Sequence, residues 1–324
     1  MRDLVFGMRD VPRLFCLDTV LIDVVLTIAS LPERAGDVRA SSQLITTGGG
    51  FNAMSAASRN DLEVVYAGRL GQGPFASLAT GALANELIST PLESNDDLDC
   101  GVCVVLVEPD AERTFVTAPG AESTLRESDL ATLDVADSDV VLVSGYNVMY
   151  PDMASAVLDW LDGLDPQVTV AFDPATRVED IPMENLQRVL RRTAWLLCNR
   201  TEASQLRGEA DAFAAAGHLA KIYESLSVVV RRGTEGCVVA VSHEEPIAVA
   251  GFHTTVLDTT GAGDVHNGVF LTEIALGLGP IAAARRANAA AAMSVAQLGP
   301  ASSPGRAEVD AFLAAQDVGG ATTI

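Results

Sequence analysis

Seven residues, Asp258-Thr-Thr-Gly-Ala-Gly-Asp264, set out a chemistry before any fold is assigned. A helical pattern runs through Ala262–Leu276, so the string lies at a loop-to-helix junction. Glycine there lets the backbone come close to a ligand. The first amides of the helix lack intrahelical partners and point at an anion. Gly261, Ala262 and Gly263 would supply those amides. A carboxylate directly after an anion hole repels a bound phosphate, but it suits a base that takes the proton of an attacking hydroxyl. The string therefore reads as a hole that neutralises a transferring phosphoryl group and aims a nucleophile at it, with Asp264 as the base. The plainer reading is a capped helix with an ordinary first-turn acid. Aspartate at both ends of the string makes it more specific than a lone G-x-G-D.

Other chemistry-bearing strings say less. Asn199-Arg-Thr-Glu202 follows the strand pattern Trp195–Cys198. It is either an N-cap with its first-turn acid or a site at a strand's carboxyl end, where α/β sites are built. Asp23 and the Gly48–Gly50 turn have equally plain structural readings. No G-x-x-x-x-G-K-[ST] string exists and Lys221 is the only lysine, which excludes a Walker-type phosphate site. Neither Gly68-Arg-Leu-Gly71 nor Gly261-Ala-Gly263 has the third glycine of a dinucleotide fingerprint. Cys100-Gly-Val-Cys103 has no second cysteine pair or histidine pair near it and falls in a strand pattern, so it reads as packing.

These residues need a scaffold, and the chain alternates apolar strand runs with helical stretches. Strand patterns cover Leu14–Ile22, Val64–Ala67, Val140–Ser144, Val168–Phe172, Trp195–Cys198, Val228–Val230, Val238–Val241 and Ile247–Val249. Helical patterns cover Asn52–Arg59, Ala76–Ile88, Met153–Leu161, Leu186–Arg192, Ala210–Glu224, Ala262–Leu276, Ile281–Gln297 and Arg306–Ala315. Strands that are apolar throughout are covered on both faces, and the alternation builds βα units. The expected fold is α/β: a doubly wound, mostly parallel sheet flanked by helices, in one domain over residues 1–324. Residues 24–46 and 100–117 break the rhythm as extended pieces without helices and are expected to form a small β-sheet lid. Met1–Arg13 and Asp317–Ile324 read as irregular ends.

Composition narrows the partners. The 324 residues carry 43 acidic against 21 basic side chains, a formal charge of −22. That field repels nucleic acid and anionic lipid, so neither is expected as a partner. It also repels ATP, so a phosphate site here needs a metal, a helix N-terminus or particular arginines. The run Val20–Leu31 is broken by Asp23 and is no membrane span. Five cysteines with no secretory pattern before them suggest reduced thiols and a cytoplasmic location.

The Asp258–Asp264 string resembles the C-terminal signature of the ribokinase-like, PfkB-type carbohydrate kinase family, and Asp264-Val-His-Asn-Gly268 continues it, with His266 where an aromatic residue is usual. Thr47-Gly-Gly-Gly-Phe-Asn52 resembles the family's N-terminal glycine signature. By that resemblance Asp23, Gly48, Gly49, Gly50 and Asn52 would bind the acceptor. Asn199, with Arg232, Gly233 and Gly236 of the turn Arg231–Gly236 and with Asn288, would lie on the nucleotide side. Glu202 would act on Mg²⁺ through water, since Mg²⁺ takes few carboxylates directly. Asp258, Gly299 and Ser303 resemble residues that hold a monovalent cation, K⁺, in some members. The resemblance implies ATP and Mg²⁺ as cofactors, transfer of the γ-phosphoryl group to a hydroxyl of a sugar or sugar-like molecule, and a lid that can serve as a homodimer surface. Asp18 stands where the family usually has Gly, Leu21 where ribokinases have a sugar-binding Asn, and Thr47 where it has the first Gly. All three departures fall on the acceptor side, leaving a nucleoside kinase and a non-catalytic sugar-binding paralogue as alternatives.

Overall fold

The computed structural model describes residues 11–110, 112–299 and 301–320. Among the described residues, twelve strands form two sheets. They are β1 (Arg13–Leu17), β2 (Val20–Thr27), β3 (Ser42–Gly49), β4 (Glu63–Tyr66), β5 (Val102–Val107), β6 (Arg113–Ala118), β7 (Val140–Ser144), β8 (Thr169–Asp173), β9 (Trp195–Asn199), β10 (Ser227–Arg231), β11 (Cys237–Ala240) and β12 (Ile247–Val249). The main sheet runs β12-β11-β10-β9-β8-β7-β1-β4. Its six strands from β10 to β4 are parallel, and β11 and β12 close one edge as antiparallel additions.

Helices cover both faces. Alternate side chains of one strand enter opposite cores, as a period of two requires. Leu14 and Cys16 of β1 pack with helices Phe51–Arg59 and Ala262–Ala275, whereas Phe15 and Leu17 pack with helices Pro151–Gly163 and Met183–Arg192. β7 divides in the same way, with Val140 and Leu142 on one face and Val141 and Val143 on the other. A sheet buried on both sides explains strands that read as unbroken apolar runs.

The second, smaller sheet, β3-β2-β5-β6, comes from the segments expected to form a lid, with β2 antiparallel to β3, parallel to β5, and β5 antiparallel to β6. Its extent differs from the sequence expectation of 24–46 and 100–117. The apolar run Leu14–Ile22 is two strands in two sheets, and the lid begins at Val20. Asp18 and Thr19 make the break. The Asp18 carboxylate accepts from the Thr19 amide at 2.6 Å, which turns the chain out of the main sheet. The helix expected over Ala210–Glu224 is shorter, Ala212–Leu219, and Arg200–Arg207 is a separate helix ended by Gly208. The C-terminal helix runs Arg306–Gly320, four residues into the segment expected to be irregular from Asp317. The rest of that segment and most of Met1–Arg13 lie outside the described residues.

Candidate active site

Five parallel strands end in a polar residue or are followed by one, and all five residues face one cavity. They are Asp18 after β1, Ser144 of β7, Asp173 of β8, Asn199 of β9 and Arg231 of β10. Carboxyl ends of parallel strands are where α/β folds place ligands. The cavity measures about 290 Å³, and Asp264, Gly261 and Gly263 line it from the helix above. A neighbouring cleft of about 320 Å³ is mainly apolar, walled by Phe252, Val256, Ala292 and Val295, with Gly233, Gly236 and Asn288 at its polar end. Asn199, Arg231 and Gly263 line both spaces and mark where they meet.

The helix Ala262–Ala275 starts from Gly261 at φ +74°, a backbone region that favours glycine. The Ala262 amide turns back onto the Thr259 carbonyl at 3.3 Å, so it is not free as expected. Among the described residues, no backbone acceptor takes the amides of Gly261, Gly263 or Asp264. Those three amides are free to meet an anion. The Asp264 carboxylate accepts from the Asn52 amide at 3.1 Å, and the Asn52 oxygen accepts from the Ala301 amide at 2.9 Å. Asn52, expected to face the acceptor, has both polar ends on protein and holds the Asp264 carboxylate in place. Burial, and after it Asp173, pushes the Asp264 carboxyl up to about 6.

Asp23 lies on β2 opposite Thr46, above the glycine turn. A Cβ on Gly48 would fall 2.1 Å from its Oδ2, so only glycine fits beneath it. No protein donor among the described residues bonds the Asp23 carboxylate, and burial raises its pKa to about 6. Asp18 sits beside Gly50, where a Cβ would meet its own at 2.6 Å. Burial and the Asp264 charge push Asp18 to about 7.

Asn199 and Glu202 form a reciprocal capping box. The Asn199 side chain accepts from the Glu202 amide at 2.9 Å, and Glu202 accepts from the Asn199 amide at 2.7 Å and from its Nδ2 at 2.6 Å. The cap and the site are the same residues: Glu202 is buried, and burial with Asp173 as neighbour raises it to about 7. Asp173 and Glu202 both face the cavity and suit Mg²⁺, which keeps most of its waters and needs few carboxylates.

Asp23, Gly48, Gly50 and Asn52 line neither space, and Arg232, Asp258, Gly299 and Ser303 are likewise placed elsewhere. Arg232 folds away from both spaces onto Glu235 at 3.2 Å and over the Phe213 ring. Asp258 is taken by Arg113 of the lid at 2.9 Å, by Thr260 Oγ1 at 2.7 Å and by the Thr260 and Gly299 amides. The Ser303 hydroxyl donates to the Pro304 carbonyl, and the carbonyls of Ala301 and Ser303 accept from Arg59. This donor set is already committed to protein partners and does not fit a resident K⁺ in this arrangement. His266 is buried, with Nε2 3.2 Å from Asn288 Oδ1, and burial lowers it to about 3. All five cysteines are free and buried, and no metal-binding cluster of three His, Cys, Asp or Glu occurs among the described residues.

The family model of pfkB family carbohydrate kinases matches residues 11–306. The chain belongs to that family. Membership makes it a phosphotransferase of the kinase class. The chain is 33% identical over 297 residues to the uncharacterised sugar kinase YegV of Escherichia coli, covering 89% of this chain and 90% of that one. It is 27% identical to the ribokinase of Haemophilus influenzae, covering 92% and 97%. The solved ribokinase of Thermotoga maritima superposes with a TM-score of 0.80 at 23% identity, covering 94% of this chain and 99% of that one. The ribokinase of Arabidopsis thaliana, solved with ribose and ATP, superposes at 0.76 with 24% identity, covering 93% and 98%. These structures share the α/β fold with its smaller separate sheet.

Sequence reasoning gave no site role to Asp173, Asn267 or Ser144, and it named Arg231 only as the start of the nucleotide-side turn. The usable signal for Asp173, Ser144 and Arg231 was position at a strand's carboxyl end, the one that promoted Asn199. Asn267 gave none beyond lying one helical turn after Asp264.

Proposed function

We propose that this PfkB-family protein transfers the γ-phosphoryl group of ATP to a hydroxyl of a neutral sugar or sugar-like polyol. The observation that carries this reading is the position of Asp264. It stands beside partnerless amides, where an apolar cleft sized for a nucleobase meets a polar cavity sized for a small polyol. In this reading the acceptor hydroxyl gives its proton to Asp264 as it attacks phosphorus. Asn52 keeps the carboxylate aimed, and the Gly261, Gly263 and Asp264 amides meet charge developing on the phosphoryl oxygens. Asp23, which has no protein donor among the described residues, orients the acceptor's hydroxyls. Mg²⁺, held through water by Asp173 and Glu202, would neutralise phosphate charge when bound.

A second reading, a nucleoside acceptor, has support from Tyr146 and Leu142, which give the acceptor cavity an aromatic and an apolar wall. A homodimer through the lid has support from Leu44, Ile45, Phe115 and Val116, exposed on its outer strands. An ADP-release screen over sugars and nucleosides, with Asp264→Asn as control, tests the activity. We expect release with a neutral polyol and none from the variant. Release that is equal with and without any acceptor would defeat the reading.

A further inference from the structure

Arg231 is the one arginine or lysine among the described residues lining either cavity. It ends β10, and its guanidinium lies against the anion-hole loop. A Cβ on Gly263 would come within 3.5 Å of its Nε and Cζ. Four carboxylates, Asp18, Asp173, Glu202 and Asp264, share the acceptor cavity with it. A phosphoryl group cannot enter such a field without a fixed positive charge at its destination.

The guanidinium is held yet not used up. Nη1 donates to Asn267 Oδ1, and Nη2 donates to Asp173 Oδ2 at 3.2 Å and lies 3.5 Å from Glu202. Asn267 braces the pair by donating to the same Asp173 oxygen at 2.5 Å. A guanidinium has five N–H donors in a fixed fork. The two hydrogen bonds leave three without a hydrogen-bond partner among the described residues, on a side chain that lines both cavities. The arrangement also explains a partly buried arginine flanked by two acids: Asp173 and Glu202 hold its charge in the absence of nucleotide, and Asn267 fixes its plane.

We propose that Arg231 is a catalytic residue that binds the γ-phosphoryl group and stabilises it during transfer. This rests on the kinase reading above. As the bond between the β,γ-bridging oxygen and the γ-phosphorus breaks, the acceptor oxygen bonds to that phosphorus. The hydroxyl proton passes to Asp264, ADP leaves with the electron pair, and the free N–H groups of Arg231 follow the equatorial oxygens. Helix amides supply direction but only partial charge; Arg231 supplies a whole one.

The test uses nucleotide binding, which needs no knowledge of the acceptor, and then turnover. Calorimetry with MgADP and with the non-hydrolysable analogue MgAMP-PNP compares wild type with Arg231→Gln. We expect MgADP affinity to change less than about threefold and MgAMP-PNP affinity to fall about 10- to 100-fold, the worth of a charge-assisted contact. With an acceptor found in the screen, kcat should fall about 10²- to 10³-fold. Guanidinium ion should restore part of it in Arg231→Ala, which a bracing role would not predict. If Arg231→Gln fails to fold, Arg231→Lys is measured in its place. It keeps the charge opposite Asp173 but loses the fork, so the γ-phosphate preference should still fall at least about tenfold. Equal loss for both nucleotides, or no loss in a folded variant, would overturn the inference. Failure of the wild type to bind either nucleotide would overturn the kinase reading and this inference with it.

Discussion

At the scale of single residues, Asp264 has the position and the pKa of a base near neutrality. Its carboxyl is raised to about 6, first by burial and then by Asp173, so it is largely ionised at pH 7 and loses that form as pH falls. Asp18 titrates beside it at about 7, so the pair should show apparent values between about 6 and 7. We expect kcat/KM to fall as pH drops through that window. We expect Asp264→Asn to lose about 10²–10⁴-fold in kcat while retaining MgADP binding. A variant with near wild-type turnover would remove Asp264 from the chemistry. Asp23 carries the complementary expectation for the acceptor. A half-buried carboxylate without a protein donor among the described residues is costly unless a ligand supplies one. Asp23→Ala should therefore raise acceptor KM about tenfold or more and leave ATP KM within about twofold in steady-state assays. An unchanged acceptor KM would mean that Asp23 only spaces the glycine turn. Leu21 faces Gly48 across β2 and β3 and offers no polar atom, so ribose should rank below acceptors with an apolar or absent group there.

At the scale of elements, the site is a set of strand ends, and collecting acids there is unfavourable. Asp18, Glu202, Asp264 and Asp23 all have pKa values raised above the unfolded carboxylate range. A raised carboxyl means that the fold binds the proton more tightly than the unfolded chain does, so ionising it opposes folding. For Asp18 that cost is absent below about pH 4, grows as pH rises, and is complete above about 7. Asp18→Asn should therefore raise Tm in a thermal melt at pH 8 by several degrees, with a smaller gain at pH 5. An equal gain at both values would point to packing instead of charge. The same elements show how much the sequence could disclose. β7 and β9 were legible because both faces are buried and every residue but the last is apolar. β1 and β2 were not separated, because the apolar run continues through Asp18 and Thr19 while the chain changes sheets. Asp258–Asp264 was legible because its chemistry is local. The Arg231–Asp173–Asn267 cluster was not, since its members lie 94 positions apart at the extremes and meet only through strand order.

At the scale of the whole molecule, the smaller sheet and the main sheet are tied at the loop proposed as the anion hole. Arg113 begins β6 on the lid, and its guanidinium reaches Asp258 Oδ1 at 2.9 Å and Thr259 Oγ1 at 3.5 Å. Asp258 in turn accepts from the Thr260 amide and hydroxyl and from Gly299, so it organises the turn that delivers Gly261 to Asp264. These donors and the Arg113 charge hold its carboxyl below the ordinary range despite burial. A carboxylate already opposite a fixed guanidinium has little need of a free cation. The wild-type rate should then agree within about twofold in sodium, potassium and tetramethylammonium salts at equal ionic strength. Arg113→Ala removes the lid's charge from the loop and opens the oxygens of Asp258. That variant should slow about tenfold in tetramethylammonium, and K⁺ should recover part of the loss, because a small cation can then take the position the guanidinium left. Strong activation of the wild type by K⁺ would show that the ion displaces Arg113 from Asp258 in the working enzyme. An Arg113→Ala variant with unchanged rates in all three salts would show that the anion-hole turn holds its shape without the lid.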